Sequence, residues 1–155
     1  MAIIVCRIVE VCAFRFVKDH PEYLLLKRSP DEKIYPGIWQ FVSGAIDEGE
    51  KAVDAALREF KEETDLTPKR FWVVPYANTF YDHDYDVVNV SPLFAAQVDG
   101  GAEPMLSAEH RTYEWLRYDE ARRRLVWPGQ RQGLQVIDEF IVGGQEASTL
   151  TLIPL

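Results

Sequence analysis

Apolar and polar positions change period several times along the chain, and those changes mark out the elements. Ile4 to Val17, rich in β-branched and aromatic residues, predicts one long strand; Asp19-His20-Pro21-Glu22 predicts a turn, and Tyr23 to Leu26 a buried return strand. Ser29 to Gly37, with two prolines, reads as a loop, and Ile38 to Val42 as a short strand. Lys51 to Thr64 is the main helix. Two further strands, Phe71 to Phe80 and Val87 to Val98, flank the polar turn Asp82-His83-Asp84, and Tyr113 to Leu116 makes another. Asp119 is placed to N-cap a short helix ending at Leu125. Leu134, Ile137, Phe140 and Ile141 recur at helical spacing within Gly129 to Val142, which predicts a closing amphipathic helix. Residues 145–155 read as a C-terminal tail, with an added strand at Thr149 to Ile153. Strands interleaved with helices in this irregular order predict an α/β fold, an α/β/α sandwich around a mixed sheet.

Read as a wheel, the main helix places Val53, Ala56, Leu57 and Phe60 on one stripe that would pack on the sheet. Glu59, Glu62 and Glu63 stand at i, i+3 and i+4, clustered on a neighbouring face roughly 100° away. Three carboxylates within one turn repel one another and would weaken an isolated helix. Their sensible use is to share hard divalent cations, which prefer oxygen ligands: Mg²⁺, with Mn²⁺ as a substitute.

The charge distribution sharpens this. Of a net charge of −8, the segment from Gly44 to Leu66 supplies −5, with eight acids against three bases. Crowded carboxylates repel unless a cation lies among them. A solvated acidic helix face is the plain alternative for any charge run, but the spacing argues otherwise. An acidic chain is poorly suited to tracking a nucleic-acid polymer, which needs a basic surface.

A length of 155 residues suits one domain, 1–155, with one sizeable core. No apolar run approaches a membrane span, and Ile3-Ile4-Val5-Cys6, broken at Arg7 and without a basic leader, does not read as a signal peptide. Cys6 and Cys12 lie about 20 Å apart in an extended segment, too far for a disulfide. A reducing cytoplasm is the expected compartment.

Gly44, Glu50, Arg58, Glu59, Phe60, Glu62, Glu63 and Leu66 fall in register with G-x5-E-x7-R-E-U-x-E-E-x-G-U, U being a bulky apolar residue. The segment 44–66 thus resembles the Nudix box. Only Asp65 departs, standing where the family has its second glycine. That position lies just past the helix, where a left-handed residue is wanted, so Asp65 is expected to be a cap and not a ligand. The resemblance implies a Nudix-type sandwich and a metal-dependent hydrolase of a diphosphate linkage. It also implies that Glu50, Glu59, Glu62, Glu63 and the carbonyl near Gly44 hold the metal. Gly44 and Gly49 would let the loop curl around the helix N-terminus. Arg58 would orient the carboxylates by bidentate pairing, acting with Glu59 and Glu62 in the catalytic set.

The likeness extends beyond the box. Ile38-Trp39-Gln40-Phe41-Val42-Ser43-Gly44 is similar to the W-Q-x-V-x-G approach of dihydroneopterin triphosphate pyrophosphatases and related nucleoside triphosphate pyrophosphohydrolases. The closing helix from Gln130 to Phe140 is similar to theirs as well. Glu109-His110-Arg111-Thr112-Tyr113-Glu114-Trp115-Leu116 resembles their E-H-x-x-Y-x-W-L segment, which dinucleoside polyphosphate hydrolases share. This implies a nucleoside or pterin polyphosphate as partner, with pyrophosphate released, and a homodimer of the kind that such relatives often form. A dinucleoside polyphosphate or nucleotide-sugar hydrolase, or a sensor that binds without cutting, stays open. The likeness makes Glu109 a further metal ligand or the general base, with His110 beside it as the alternative; an exposed loop acid is the plain reading.

Lys27 and Arg28 would neutralise the outer phosphates, or serve only solubility. Trp39, Gln40 and Tyr113 are taken as substrate-binding residues. Trp39 and Tyr113, like Tyr35, Phe80 and Tyr81, offer flat rings for a purine or pterin, although aromatic residues in strands are usually core. Asp82 to Asp86 fits a solvated hairpin loop better than a metal site, and Arg122-Arg123-Arg124 a solvated helix face.

Overall fold

The computed structural model describes residues 1–155, the side chain of Ser148 excepted. Nine strands form one mixed sheet: β1 (Ile3–Val5), β2 (Ile8–Val17), β3 (His20–Arg28), β4 (Trp39–Gln40), β5 (Val42–Ala45), β6 (Arg70–Asp82), β7 (Val87–Gln97), β8 (His110–Leu116) and β9 (Leu152–Ile153). The helices are α1 (Ala52–Thr64), α2 (Tyr118–Arg124), α3 (Pro128–Val136), which runs on into a π-helical segment (Ile137–Val142), and α4 (Ala147–Leu150). The main path runs β4-β3-β2-β7-β6-β9, with β1 on β7, β5 on β2 and β8 on β3.

Two apolar clusters lie on opposite faces of the sheet. Val9, Val11, Leu24, Leu26, Phe71 and Phe94 pack under α1 through Ala55, Ala56 and Phe60. Cys12, Phe14, Tyr23, Leu25, Trp72 and Leu93 pack under α2, α3 and the π-helical segment through Ala121, Leu134, Ile137 and Ile141. The alternation of neighbouring residues between the two clusters along β2, β3 and β7 is the period-two pattern of a sheet covered on both sides. The expected α/β/α sandwich is the observed fold.

Several boundaries differ from expectation for reasons that lie in the pairing. The single strand expected from Ile4 to Val17 is interrupted at Cys6-Arg7. Both halves pair parallel with β7, yet Val5 stands opposite Asn89 and Glu10 opposite Leu93, so five steps face four. The extra residue forms a bulge-like break, and the freed Arg7 carbonyl accepts the Ile46 N–H at 2.9 Å. Ile38 to Val42 likewise divides at Phe41, because β4 pairs with β3 whereas β5 pairs with β2. The turn before β3 contracts to Lys18-Asp19, both at positive φ, and β3 starts at His20. α2 begins at Tyr118 after Arg117, so Asp119 is not its N-cap but lies in the first turn. The strand expected from Thr149 to Ile153 shrinks to β9, which pairs with Phe71 and Trp72, because Ala147–Leu150 turns helical first.

α1 ends as anticipated. Asp65 takes the left-handed conformation at φ 57°, and its N–H donates to the Lys61 carbonyl at 2.9 Å. Lys61 Nζ lies 2.8 Å from the Asp65 carboxylate. No helix among the described residues is long and apolar enough to cross a membrane. Both cysteines are free thiols.

Candidate functional site

The loop from β5 into α1 is drawn tight by one arginine. Arg58 donates from Nε and Nη2 to the two oxygens of Glu50 at 2.8 and 2.9 Å, from Nη2 to the Ala45 carbonyl at 2.9 Å, and from Nη1 to Glu59 at 2.8 Å. A longer contact of 3.4 Å reaches Glu62. Glu50 in turn accepts the Asp47 N–H at 2.9 Å, closing the turn that Gly49 permits at φ 77°. One guanidinium therefore ties the loop backbone to three carboxylates, with the bidentate geometry that suits Arg and not Lys.

Gly44 is required at its place by proximity. A Cβ there would lie 2.1 Å from Glu59 Cδ and 2.4 Å from Oε2, so β5 and the Glu59 carboxylate touch only because that atom is missing.

The three helix glutamates do not share one environment. Glu63 is buried on the inner side of α1, at 3% exposure, whereas the Glu62 side chain is more than half exposed. Ala55, absent from the expected stripe, is fully buried, and Val53 and Leu57 are only partly so. Across from Glu63, the segment leading into β8 brings Glu109 and His110 to it. Ligand atoms of Glu63, Glu109 and His110 lie within 4.8 Å of one another. His110, whose ring nitrogen is 3.0 Å from Gln40 Nε2, keeps its Nδ1 buried without a hydrogen-bond partner, and so does Glu63 with its Oε2.

Electrostatics follow from this crowding. Burial pushes the Glu63 carboxyl up to about 10, reinforced by Glu109 through a hydrogen bond and through charge, and by Glu59. Burial also raises Glu59, against the opposing pull of Arg58. Hydrogen bonds from Arg58 and the Asp47 backbone hold Glu50 down at about 2. Burial takes His110 down to about 4, leaving a neutral imidazole at neutral pH. Carboxylates that cling to protons, with a buried oxygen facing no donor, form a donor set that fits a hard divalent cation.

The other expected site residues are dispersed. Arg28 stands beside the cluster, reaching Glu109 at 3.4 Å and Glu32 at 3.3 Å and donating to the Ile34 carbonyl at 2.9 Å. Gln40 joins the cluster through His110. Lys27 and Trp39 do not. They meet each other on the α2 side of the sheet, Lys27 Nζ 5.8 Å from the indole centroid, with Arg124 at 5.2 Å. Tyr113 faces the α1 side, but its hydroxyl donates to Glu103 at 2.7 Å. The burial of Glu63 and the Gln40–His110 contact were missed as features of the site. Both depend on which strand lies beside which, and the one available signal was the pairing of Glu109-His110 with Trp39-Gln40 as flanking segments.

Comparison with known proteins places the chain. The family model described as NUDIX domain matches residues 7–137. Nucleoside triphosphatase NudI of Escherichia coli is 25% identical over 111 residues, 67% of this chain and 79% of that protein. A Myxococcus xanthus octanoyltransferase is 33% identical over 116 residues, but the chain spans only 30% of that relative's length. Among solved structures, a C. elegans Ap4A hydrolase binary complex superposes with a TM-score of 0.74 at 22% identity, covering 90% of this chain and 99% of the other. The E. coli dihydroneopterin triphosphate pyrophosphohydrolase gives 0.66 at 24% identity, covering 88% and 96%.

Proposed function

This chain belongs to the Nudix family, and from that premise we propose that it hydrolyses a phosphoanhydride bond of a nucleoside-triphosphate-like substrate, dihydroneopterin triphosphate or a (d)NTP, releasing pyrophosphate in a Mg²⁺-dependent reaction. The observation that supports this reading best is the carboxylate cluster itself. Glu63 is buried and crowded by Glu59 and Glu109, whose negative charge only Arg58 and Arg28 offset among the described residues, beside a Glu50 that Arg58 keeps ionised.

In this reading Glu50, Glu59, Glu62, Glu63 and the Gly44 carbonyl would hold the cation, with Mn²⁺ able to replace Mg²⁺. When bound, the cation supplies positive charge for the developing phosphoryl oxygens and acidifies water. The residues do the rest. Arg58 fixes Glu50 and Glu59 relative to the Ala45 carbonyl, so the donors are arranged before substrate arrives. Glu109, facing Glu63 and held by Arg28, would take a proton from the attacking water or serve as a further ligand of the cation, a role its nearness to Glu63 supports. His110, neutral and buried against Gln40, positions that segment without carrying charge. Arg28, beside the cluster, is assigned to the outer phosphates, and Trp39, Gln40 and Tyr113 to the remainder of the substrate; Lys27, with Trp39 on the α2 side of the sheet, lies away from those phosphates and is given no part in holding them.

The reading is tested by pyrophosphate release from dihydroneopterin triphosphate and dATP, set against cleavage of diadenosine tetraphosphate and a nucleotide sugar. Faster turnover of diadenosine tetraphosphate would replace the substrate assignment. No Mg²⁺-dependent turnover on any of them would favour a sensor. We assign the protein to the cytoplasm; a homodimer is the expected assembly, checked by its mass in solution.

A further inference from the structure

On the face of the sheet away from α1, the first turn of α3 sits over a second polar cluster. Glu10 of β2 is 6% exposed, yet two neutral amides meet its carboxylate: Gln130 Nε2 donates to Oε2 at 2.6 Å, and Asn78 Nδ2 to Oε1 at 3.1 Å. Gly129 brings the helix this close, since a Cβ there would lie 1.9 Å from Asn78 Oδ1. Gln130 Oε1 and Ser91 Oγ are shut off from solvent and have no hydrogen-bond partner among the described residues. Ser91 is the cross-strand partner of Asn78.

Holding α3 on the sheet does not require such a cluster. Burial raises the Glu10 carboxyl against the pull of the two amides, and further donors would be needed to hold it as a carboxylate, which has about four acceptor positions against the two the amides meet. Buried polar groups left short of partners are costly, and an apolar contact would anchor the helix at less cost. Unsatisfied groups of this kind point to something else that completes them.

Its position says what. Glu10 is the register partner of Ser43, and the next pair is Val9 with Gly44. Because successive strand residues face opposite sides, Gly44 meets Glu59 on one face while Ser43 lies on the Glu10 face. The two clusters are thus one residue apart along β5, which among the named strands pairs only with β2. A molecule with phosphates at the glutamates would have to cross β5 only at this short step to bring its ring to the far face. Exposed aromatic surface is at hand there. Trp127, three residues before Gln130, meets Tyr35 edge-on at 5.0 Å, and Phe80 follows the half-buried Asn78 on the same side of β6.

We propose that Glu10, Asn78 and Gln130 read the heterocycle of the substrate, and that this heterocycle is a 2-amino-4-oxo ring of the guanine or pterin type. The inference rests on the nucleoside-triphosphate-like substrate proposed above. Such a ring presents a ring N–H beside an exocyclic amine, two parallel donors that one carboxylate accepts together. Adenine and cytosine place an acceptor beside a donor and leave the carboxylate facing a lone pair. Each neighbouring amide nitrogen carries a second N–H beyond the one given to Glu10, a donor suited to the ring carbonyl.

The test is calorimetric binding of GMP and AMP to the whole protein in EDTA, together with kcat/KM for dGTP and dATP. GMP is expected to bind at least about tenfold more tightly than AMP, and Glu10→Gln to abolish that preference with AMP affinity unchanged. Gln130→Met, which keeps the helix and removes the amide, serves if Glu10→Gln does not fold. Equal affinity for the two nucleotides in the wild type, or an equal loss for both in the variants, would overturn the inference and leave Glu10 a helix anchor. A GMP preference without turnover of any triphosphate would instead overturn the proposed hydrolysis and leave the recognition site standing.

Discussion

Replacing Gly44 with alanine adds one methyl group at the point where β5 and α1 nearly touch. The new Cβ would stand 2.1 Å from Glu59 Cδ and 2.3 Å from Cγ, whereas ordinary contact begins near 3.4 Å, so the Glu59 side chain must retreat by more than an ångström. No backbone strain enters, because Gly44 is not among the residues at positive φ. The retreat costs in two ways: overpacking of this kind is worth roughly 1–3 kcal/mol, and the 2.8 Å Arg58–Glu59 bond is stretched or lost. Urea denaturation should show Gly44→Ala less stable by about 1–3 kcal/mol. Pyrophosphate release should fall on the order of a hundredfold, since an ångström of misplacement in a preorganised site has that effect. Wild-type turnover in a stably folded Gly44→Ala protein would refute the idea that Glu59 must stand against the loop.

Other outcomes follow from single residues. Burial holds the Glu63 proton in the folded state while the unfolded chain releases it near 4.5, so without metal its contribution to stability is full below pH 4.5 and is lost as pH rises toward about 10. Denaturation across that window in EDTA should show this fall, and Glu63→Gln should flatten it; an unchanged slope in the variant would contradict the assignment. Phe60→Ala empties a fully buried position in the core under α1 and should cost about 3–5 kcal/mol by chemical denaturation. Asp65→Val, forcing a β-branched residue into φ 57°, should lose about 1–2 kcal/mol in stability. Asp65→Gly should stay within about 0.5 kcal/mol of wild type, since it trades an exposed ion pair for an easier backbone. Turnover by Asp65→Gly should match wild type; a large loss would make Asp65 more than a cap.

What could be read from the chain divides along local and non-local lines. The loop, α1 and its cap are set by residues close in sequence, so the register from Gly44 to Leu66 carried both the helix and the Arg58–Glu50 pairing. Asp65 was legible for the same reason. The burial of Glu63 was not: the wheel placed it with Glu59 and Glu62, but the approach of Glu109 and His110 decides how much of α1 is covered. Trp39 and Gln40 are adjacent in sequence and lie on opposite faces, because strand alternation separates them. The Glu10–Gln130 contact joins residues 120 positions apart, and only the docking of α3 on β2 reveals it. The break at Cys6-Arg7 depends equally on a partner strand, through the five-against-four step along β7.

The central claim is that the box carboxylates form a cation site that drives phosphoanhydride hydrolysis. Glu62 tests it most cleanly, because its exposed side chain contributes little to the fold. Pyrophosphate release from dihydroneopterin triphosphate and (d)NTPs should require Mg²⁺ in the wild type and collapse in a Glu62→Gln protein of unchanged stability. Wild-type-like, Mg²⁺-independent release by Glu62→Gln would contradict the account.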